Sequence, residues 1–248
     1  MKIRVAFGTG VLLGLWDGKI EVSPTTAHFL THYEGRCQAN CRFCPQASGS
    51  TSDLRMLSRV IWPPHDLERV LAKLEQNSAK FERICLQSVN YPEAVEDMCR
   101  LVHDFKQASD LPMSVSVRPL TEAEMLELER AGADRLCFPL DACAKEVFTR
   151  VKGGYQWEEH LQTLEKASRR FPGRVTTHLI IGLGETEEQA VKLIQWLHDR
   201  QITVGLFAFT PISGTPLEHK PRPELSTYRR IQLAHFLIRE ELARADEM

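Results

Sequence analysis

The chain has 248 residues, of which 43% are hydrophobic, so it can bury a substantial core, and one α/β domain suits this length better than two small ones. Its 31 basic and 33 acidic residues nearly cancel, and no run of like charge occurs, which argues against a nucleic-acid partner. The apolar run near the N-terminus is too short to span a bilayer and lacks a small-residue cleavage site, so we expect a cytoplasmic protein without membrane association.

Beyond residue 25, short apolar runs alternate with amphipathic stretches. The runs predict six strands, within residues 27–33, 83–89, 113–118, 135–141, 175–183 and 204–212. The stretches predict six helices, within residues 66–77, 93–105, 122–132, 158–171, 185–200 and 226–242, the last with Ser226 as N-cap. This alternation predicts parallel strands with right-handed crossovers, in a barrel or an open sheet. We therefore expect an N-terminal extension, residues 1–25, and a single core, residues 26–248.

Chemistry-bearing residues follow the predicted strands. In both candidate folds, functional side chains gather at the carboxyl ends of the strands. Three cysteines, Cys37, Cys41 and Cys44, follow the first main strand, and Cys85, Asp141 and the turn 182–185 lie at the ends of later strands. The sequence thus predicts one site at this end of the sheet.

The three cysteines have the spacing C-x3-C-x2-C, within a total of seven cysteines that do not suggest a disulfide framework. A zinc site normally needs four ligands, and the nearest fourth candidate, His32, falls inside the preceding strand. A cubane iron–sulfur cluster can instead be held by three thiolates, leaving its fourth iron open to another ligand. A four-iron cluster is the favoured interpretation, and a structural metal site and three core thiols remain as alternatives.

The motif C-x3-C-x-aromatic-C resembles the hallmark of the radical S-adenosylmethionine (SAM) superfamily. The resemblance implies a [4Fe–4S] cluster on Cys37, Cys41 and Cys44, with SAM bound at the open iron and cleaved to a 5′-deoxyadenosyl radical. The segments "CRFCPQAS", "RICLQS", "GLGETEEQ" and "GTPLE" are similar to those of biotin synthase. This closer similarity implies a partial (β/α)6 barrel, a TIM-like fold.

The resemblance also implies the residues that contact SAM. By family position these are Phe43, Gln87, Ser88, Asp141, His160, Gly182, Gly184 and Glu185. For residues 182–185 a plain helix start is the alternative, and His160 has the alternative of an ordinary residue on a helix surface. His178 shares a strand face with Ile180, so it is either lumenal or packed under the helices, and of the two we expect a core histidine.

Biotin synthase holds a second cluster, its sulfur source, on three cysteines and an arginine in the barrel lumen. Cys85 matches the first of these ligands, whereas the second and third fall near Ser114 and Thr176. Two other cysteines lie on the same rim. Cys137 shares a strand face with Asp141, because an even number of residues separates them, and Cys143 follows in the loop. We expect an auxiliary iron–sulfur cluster on Cys85, Cys137 and Cys143, with thiols that merely fill the core as the alternative. Helical spacing assigns Cys99 to packing.

The whole pattern also resembles the biotin-synthase-like subunits of two-protein lipoyl synthases. That resemblance implies sulfur insertion into an octanoyl group, a second radical SAM subunit, and an octanoylated lysyl domain or peptide as substrate. It further implies reduced ferredoxin or flavodoxin as electron donor. We expect the last barrel elements to be missing, which leaves an open edge where a partner sits. The alternatives are a mutase or maturase without sulfur insertion, and a non-catalytic iron–sulfur or zinc protein.

Overall fold

A computed structural model describes residues 1–248, which form twelve strands and eight α-helices. The strands are β1 (Lys2–Val5), β2 (Thr26–Thr31), β3 (Asn40–Cys41), β4 (Met56–Leu57), β5 (Val60–Ile61), β6 (Pro64–Asp66), β7 (Arg83–Gln87), β8 (Met113–Ser116), β9 (Arg135–Cys137), β10 (Lys152–Gly153), β11 (Val175–Ile181) and β12 (Ile202–Ala208). The helices are α1 (Phe7–Leu12), α2 (Leu67–Asn77), α3 (Ala94–Ala108), α4 (Glu122–Ala131), α5 (Lys145–Val151), α6 (Trp157–Arg170), α7 (Glu187–His198) and α8 (Leu225–Arg239). None of the helices is both long and apolar enough to cross a bilayer.

The main sheet has eight strands in the order β12-β11-β9-β8-β7-β2-β1-β6. Six of them, from β2 to β12, pair in parallel with their neighbours in chain order, which confirms the predicted partial (β/α)6 barrel. Residues 2–5 of the N-terminal extension form β1, which pairs antiparallel with both β2 and β6. Because β6 and β12 do not pair with each other, the barrel stays open along one side.

Side chains alternate between two faces along each parallel strand. One face carries apolar residues such as Phe29, Leu86 and Leu179, all 0% exposed, which pack in the main core under the helices. The opposite face turns into the lumen and is polar, since successive side chains on a strand point to opposite sides. Its residues include His28, Cys85, Ser114, Ser116, Cys137, Thr176 and His178.

Capping boxes begin two of the helices, and the one N-cap that the sequence predicts is not used. Thr121 and Thr186 each form a capping box at the start of α4 and α7. The predicted N-cap of the last helix is wrong: α8 begins at Leu225, and Glu224 is its N-cap. The chain enters the helix directly after Pro223, so Ser226 already lies in the first turn.

Candidate active site

The three cysteines lie on one loop after β2, and backbone hydrogen bonds fix its shape. Within the loop, the Cys37 N–H donates to the Gln46 carbonyl at 2.9 Å, and the Cys44 N–H donates to the Cys41 carbonyl at 3.0 Å. From outside, β3 pairs with β10, which places Cys41 opposite Lys152. The three thiols are therefore held on one short, hydrogen-bonded segment.

Two arginines anchor this loop to the rest of the barrel. Buried Arg4 donates to the Gln46 side chain at 2.7 Å, and Arg36 donates to the carbonyls of Pro45 at 2.9 Å and Ser52 at 2.6 Å. The Asn90 N–H, after β7, lies 3.1 Å from the Cys37 sulfur. A backbone donor aimed at sulfur stabilises thiolate charge, so the loop is shaped for an anionic ligand set.

The donor set fits a cluster better than a single ion. All seven cysteines are free thiols. Burial raises the pKa of Cys41 to about 12, against the opposing charge of Lys152, and burial also raises the pKa of Cys44. No three Cys, His, Asp or Glu side chains group closely enough to hold one metal ion. The thiolates of a cubane each bind a different iron and need no such closeness, and their binding must displace the thiol protons.

A buried ion pair lies beside the loop. The Lys152 Nζ is 2.5 Å from Asp141 Oδ2 and 2.5 Å from the Pro139 carbonyl, to which it donates. The two side chains are 5% and 11% exposed. The sequence singled out Asp141 but missed Lys152, because its approach depends on the pairing of β10 with β3. This pair places a buried cation next to the three cysteines.

The turn after β11 is shaped by its own glutamate. The Glu185 carboxylate accepts hydrogen bonds from the N–H groups of Gly182 at 2.5 Å, Leu183 at 3.1 Å and Gly184 at 3.0 Å. Gly182 has φ of 103°, and a Cβ there would lie 2.8 Å from the Pro223 side chain, so glycine is required. A cavity of about 340 Å³ adjoins the turn on the α8 side, and its lining includes none of the cysteines.

A second polar group occupies the lumen. The Cys137 sulfur lies 3.6 Å from His178 Nε2. Burial alone would lower the pKa of His178, but the neighbouring Cys137 thiolate raises it to about 9; His178 in turn lowers the pKa of Cys137 against the effect of burial. Burial raises the pKa of Cys85 to about 12, and the charge of Cys137 contributes. Cys85, Cys137 and His178 therefore form one electrostatically coupled group.

Comparison with known proteins assigns the family. A model described as the Radical SAM superfamily matches residues 34–197, which include the three-cysteine loop and the Gly182 turn. The chain belongs to the radical SAM superfamily. This membership confirms the sequence resemblance, and with it a [4Fe–4S] cluster and SAM as the cofactors of the family.

Among curated relatives of this radical SAM protein are biotin synthases. That of Hydrogenobaculum sp. is 26% identical over 208 residues, covering 82% of this chain and 61% of the relative. That of Clostridium acetobutylicum is 23% identical over 218 residues, covering 85% and 64%. An uncharacterized protein of Methanocaldococcus jannaschii is 26% identical over 210 residues, covering 82% and 53%. The chain thus spans less than two thirds of the length of these relatives.

Solved structures of radical SAM proteins share the fold. Methylornithine synthase (PylB) superposes with a TM-score of 0.67 at 16% identity, covering 94% of this chain and 66% of that one. HydG, a maturase of the [FeFe]-hydrogenase, superposes with a TM-score of 0.64 at 12% identity, covering 93% and 57%. At such identities the likeness establishes the fold alone.

Membership of the radical SAM superfamily does not test the individual SAM contacts, and most of them stay predictions. Phe43 is half-buried against the main core, and Gln87 ends β7 on the lumen side. The Ser88 hydroxyl donates to the Val89 carbonyl at 2.6 Å. Glu185 is engaged by its own turn, which supports the helix-start alternative for the residues before α7.

His160 is not on the helix surface, which was the alternative to a contact with SAM. It is 1% exposed on the inner side of α6, with its ring 5.3 Å from that of Phe148 and 5.2 Å from that of Tyr155. Burial and the charge of Lys152 lower its pKa to about 3, so it is neutral. The helix-surface alternative for His160 is therefore wrong, and its contact with SAM stays a prediction.

The three thiols predicted to share an auxiliary cluster have different surroundings. Cys143 is buried in the main hydrophobic core, and Glu185 is the charged group that affects its pKa, which burial raises. The charge of Cys137 affects the pKa of Cys85, and the Cys137 sulfur lies 3.6 Å from His178 Nε2. The expectation that His178 packs in the core is wrong, because it faces the lumen. Cys99 is half-buried on α3 against the core, as its helical spacing predicts.

Proposed function

We propose that this radical SAM protein inserts sulfur into an octanoyl group in lipoyl biosynthesis, together with a second radical SAM subunit. The observation that carries the proposal is the pair of lumen thiols, Cys85 and Cys137, on the face that also leads to the cysteine loop. Sulfur insertion needs a sulfur source inside the barrel, and thiols are the ligands that iron–sulfur clusters require. The similarity to biotin synthases supports the same class of chemistry.

When bound, a reduced [4Fe–4S] cluster would supply the electron for reductive cleavage of SAM, the source of the radical that would activate an unreactive carbon. The residues of the chain serve this chemistry by binding and shielding. Cys37, Cys41 and Cys44 would hold the cluster, and the Asn90 N–H and buried Lys152 would stabilise its negative charge. The core under the helices shields the lumen from water, which keeps a reactive radical from side reactions.

The open side of the barrel supports the proposal that the substrate is bound to a protein. The edges of the main sheet, β6 and β12, do not pair, and Phe207 on β12 is 49% exposed. An octanoyl group attached to a protein lysine must enter from the side, and an open edge permits that. A free strand edge is also a surface that proteins cover, so the second subunit and the octanoyl-lysyl substrate would share this face.

The proposal is tested by mass spectrometry of an octanoyl-lysyl peptide after single turnovers with reduced ferredoxin or flavodoxin. We expect the chain alone to cleave SAM but to yield little complete product, and addition of the second radical SAM protein to yield the two-sulfur product. The Cys41→Ala variant is the matched control, since it retains the lumen but loses a ligand of the SAM cluster. Complete lipoylation by the chain alone would exclude the two-subunit proposal.

A radical SAM mutase or maturase without sulfur insertion is the second candidate. The position of Cys143 in the hydrophobic core favours it, because the surroundings of this thiol differ from those of Cys85 and Cys137 on the lumen face. Unchanged substrate mass in both arms of the experiment, with SAM still cleaved, would select this candidate.

A further inference from the structure

We infer that the amide group of an acyl-lysyl substrate binds in a notch of the lumen wall between the rings of His28 and Trp62, over Ala6. The choice of an octanoyl-lysyl chain rests on the proposed function, whereas the notch itself rests on the geometry of the sheet. The ligand chemistry is that of a secondary amide, which offers one carbonyl acceptor and one N–H donor.

Strand pairing sets the three residues in one row. When the registers of β1 with β2 and with β6 are continued past Val5, Ala6 lies opposite His28 on one side and Trp62 on the other. The Ala6 backbone is still extended, with φ of −60° and ψ of 143°, and its N–H donates to the His28 carbonyl at 3.1 Å. Residues opposite each other on antiparallel strands share a face, so all three lie on the lumen side with His28.

The small side chain of Ala6 brings the two rings close to each other. The ring centroids of His28 and Trp62 are 6.3 Å apart, and the ring planes meet at 70°. Trp62 is 6% exposed and belongs to one apolar cluster with Ala6 and Leu30. An alanine between two large rings therefore makes a notch in the lumen wall, with an aromatic ring on each side.

Each ring has a buried nitrogen without a partner. The Trp62 Nε1 and the His28 Nδ1 are shielded from solvent and make no hydrogen bond within the chain. Such unpaired buried polar atoms are uncommon in proteins. The Trp62 N–H can only donate, whereas a neutral histidine can accept at Nδ1. Burial lowers the pKa of His28, and the charge of His178 lowers it further, so the ring is neutral. One donor and one acceptor match the carbonyl and the N–H of a secondary amide.

The notch lies where a lysine-linked chain would enter. Trp62 directly precedes β6, the strand that borders the open side of the barrel. An acylated lysine carries its amide at the end of a flexible four-carbon stem, so the amide lies inside the edge while the backbone of its protein stays outside. His28 lies three residues, about 10 Å along the strand, before the end of β2 at Thr31. The cysteine loop follows β2, so an extended octanoyl chain leads from the notch toward the SAM cluster.

The test measures binding of a peptide and needs no turnover. The reconstituted chain with SAM, but without reductant, is dialysed to equilibrium against an octanoyl-lysyl peptide and against an ester analogue in which oxygen replaces the amide N–H. We expect the ester to bind about tenfold more weakly, because it cannot donate to His28. Trp62→Phe should weaken the binding of both ligands about tenfold, and His28→Phe should remove the difference between amide and ester.

Trp16→Phe is the matched control. The Trp16 Nε1 is also buried without a partner, but its ring stacks on that of His65 at 4.9 Å and packs against the main core. This variant should leave both affinities unchanged.

Three results would overturn the inference. These are no measurable binding of the octanoyl-lysyl peptide, equal affinities of the unaltered chain for amide and ester, or unchanged binding by Trp62→Phe. Should Trp62→Phe fail to fold by circular dichroism, the comparison of amide and ester in the unaltered chain decides. Amide-dependent binding without sulfur in the octanoyl product would refute only the proposed function. Sulfur in the product without a preference for the amide would refute only this inference.

Discussion

The buried pair of Lys152 and Asp141 offers a sharp test of how the cluster loop is held. Lys152→Met preserves most of the side-chain length but leaves the Asp141 carboxylate, 11% exposed, without its cation. Removing one partner of a buried ion pair costs about 3–5 kcal/mol, because the remaining charge stays desolvated. Asp141→Asn is the complementary change: Asp141 has φ of 65°, a conformation that asparagine tolerates, so mainly the charge changes.

The assay is a double-mutant cycle on the free energy of unfolding in urea at neutral pH. We expect Lys152→Met to cost about 3–5 kcal/mol and the double variant to cost less than the sum of the two single changes. The control is Lys192→Met, which breaks the exposed Lys192–Glu188 pair and should have little effect. A loss under about 1 kcal/mol for Lys152→Met, or additive single effects, would refute the argument that the pair is desolvated.

Further predictions concern the cluster, a buried histidine and a turn. Cys41→Ala should lose the iron of the SAM-binding cluster and the formation of 5′-deoxyadenosine, while Cys99→Ala on α3 should keep both. Native activity of Cys41→Ala would contradict the cluster assignment. The pKa of His160 falls to about 3 in the folded chain, so the free energy of unfolding should drop by about 1.4 kcal/mol per pH unit as the pH falls below about 6.5. In His160→Leu this dependence of stability on pH should disappear, whereas His103→Gln, a change at an exposed histidine, should keep it. Gly182 has φ of 103°, and a Cβ there would meet the Pro223 side chain, so Gly182→Ala should distort the turn. We expect weaker SAM binding by equilibrium dialysis, and an unchanged affinity would exclude the turn from the SAM site.

The fold could be predicted from sequence because periodicity determines it. Side chains of Val175–Ile181 alternate strictly between the core and the lumen, and α6 carries its charges on one side. The pattern of each segment therefore predicts both its secondary structure and its buried face. Strand β1 could not be predicted in the same way. Its four residues enter the sheet only through pairing with β2 and β6, and such long-range pairing leaves no periodic signal in so short a segment.

In the candidate site too, features set by local sequence could be predicted, and features set by long-range contacts could not. Cys37, Cys41 and Cys44 could be predicted because one loop holds all three. Lys152 approaches the loop, and His178 approaches Cys137, because of how the strands are paired. That register cannot be predicted from the pattern of a single strand. His160 was within reach of sequence reasoning: with Thr163, Leu164 and Ala167 it has the spacing of the buried face of a helix.

The Lys152–Asp141 pair also bears on how the cysteine loop accommodates an anionic cofactor. A buried lysine with no partner would oppose folding, and Asp141 removes this cost by pairing with it. Thiolates formed on the loop bring new negative charge close to the same ammonium group, since Lys152 is paired with Cys41 across β3 and β10. Lys152 then has two anionic neighbours, and its cation offsets the charge that a cluster on Cys41 and Cys44 would add. A barrel that kept the cysteines but replaced Lys152 by a neutral residue should therefore hold its cluster more weakly and at a lower reduction potential.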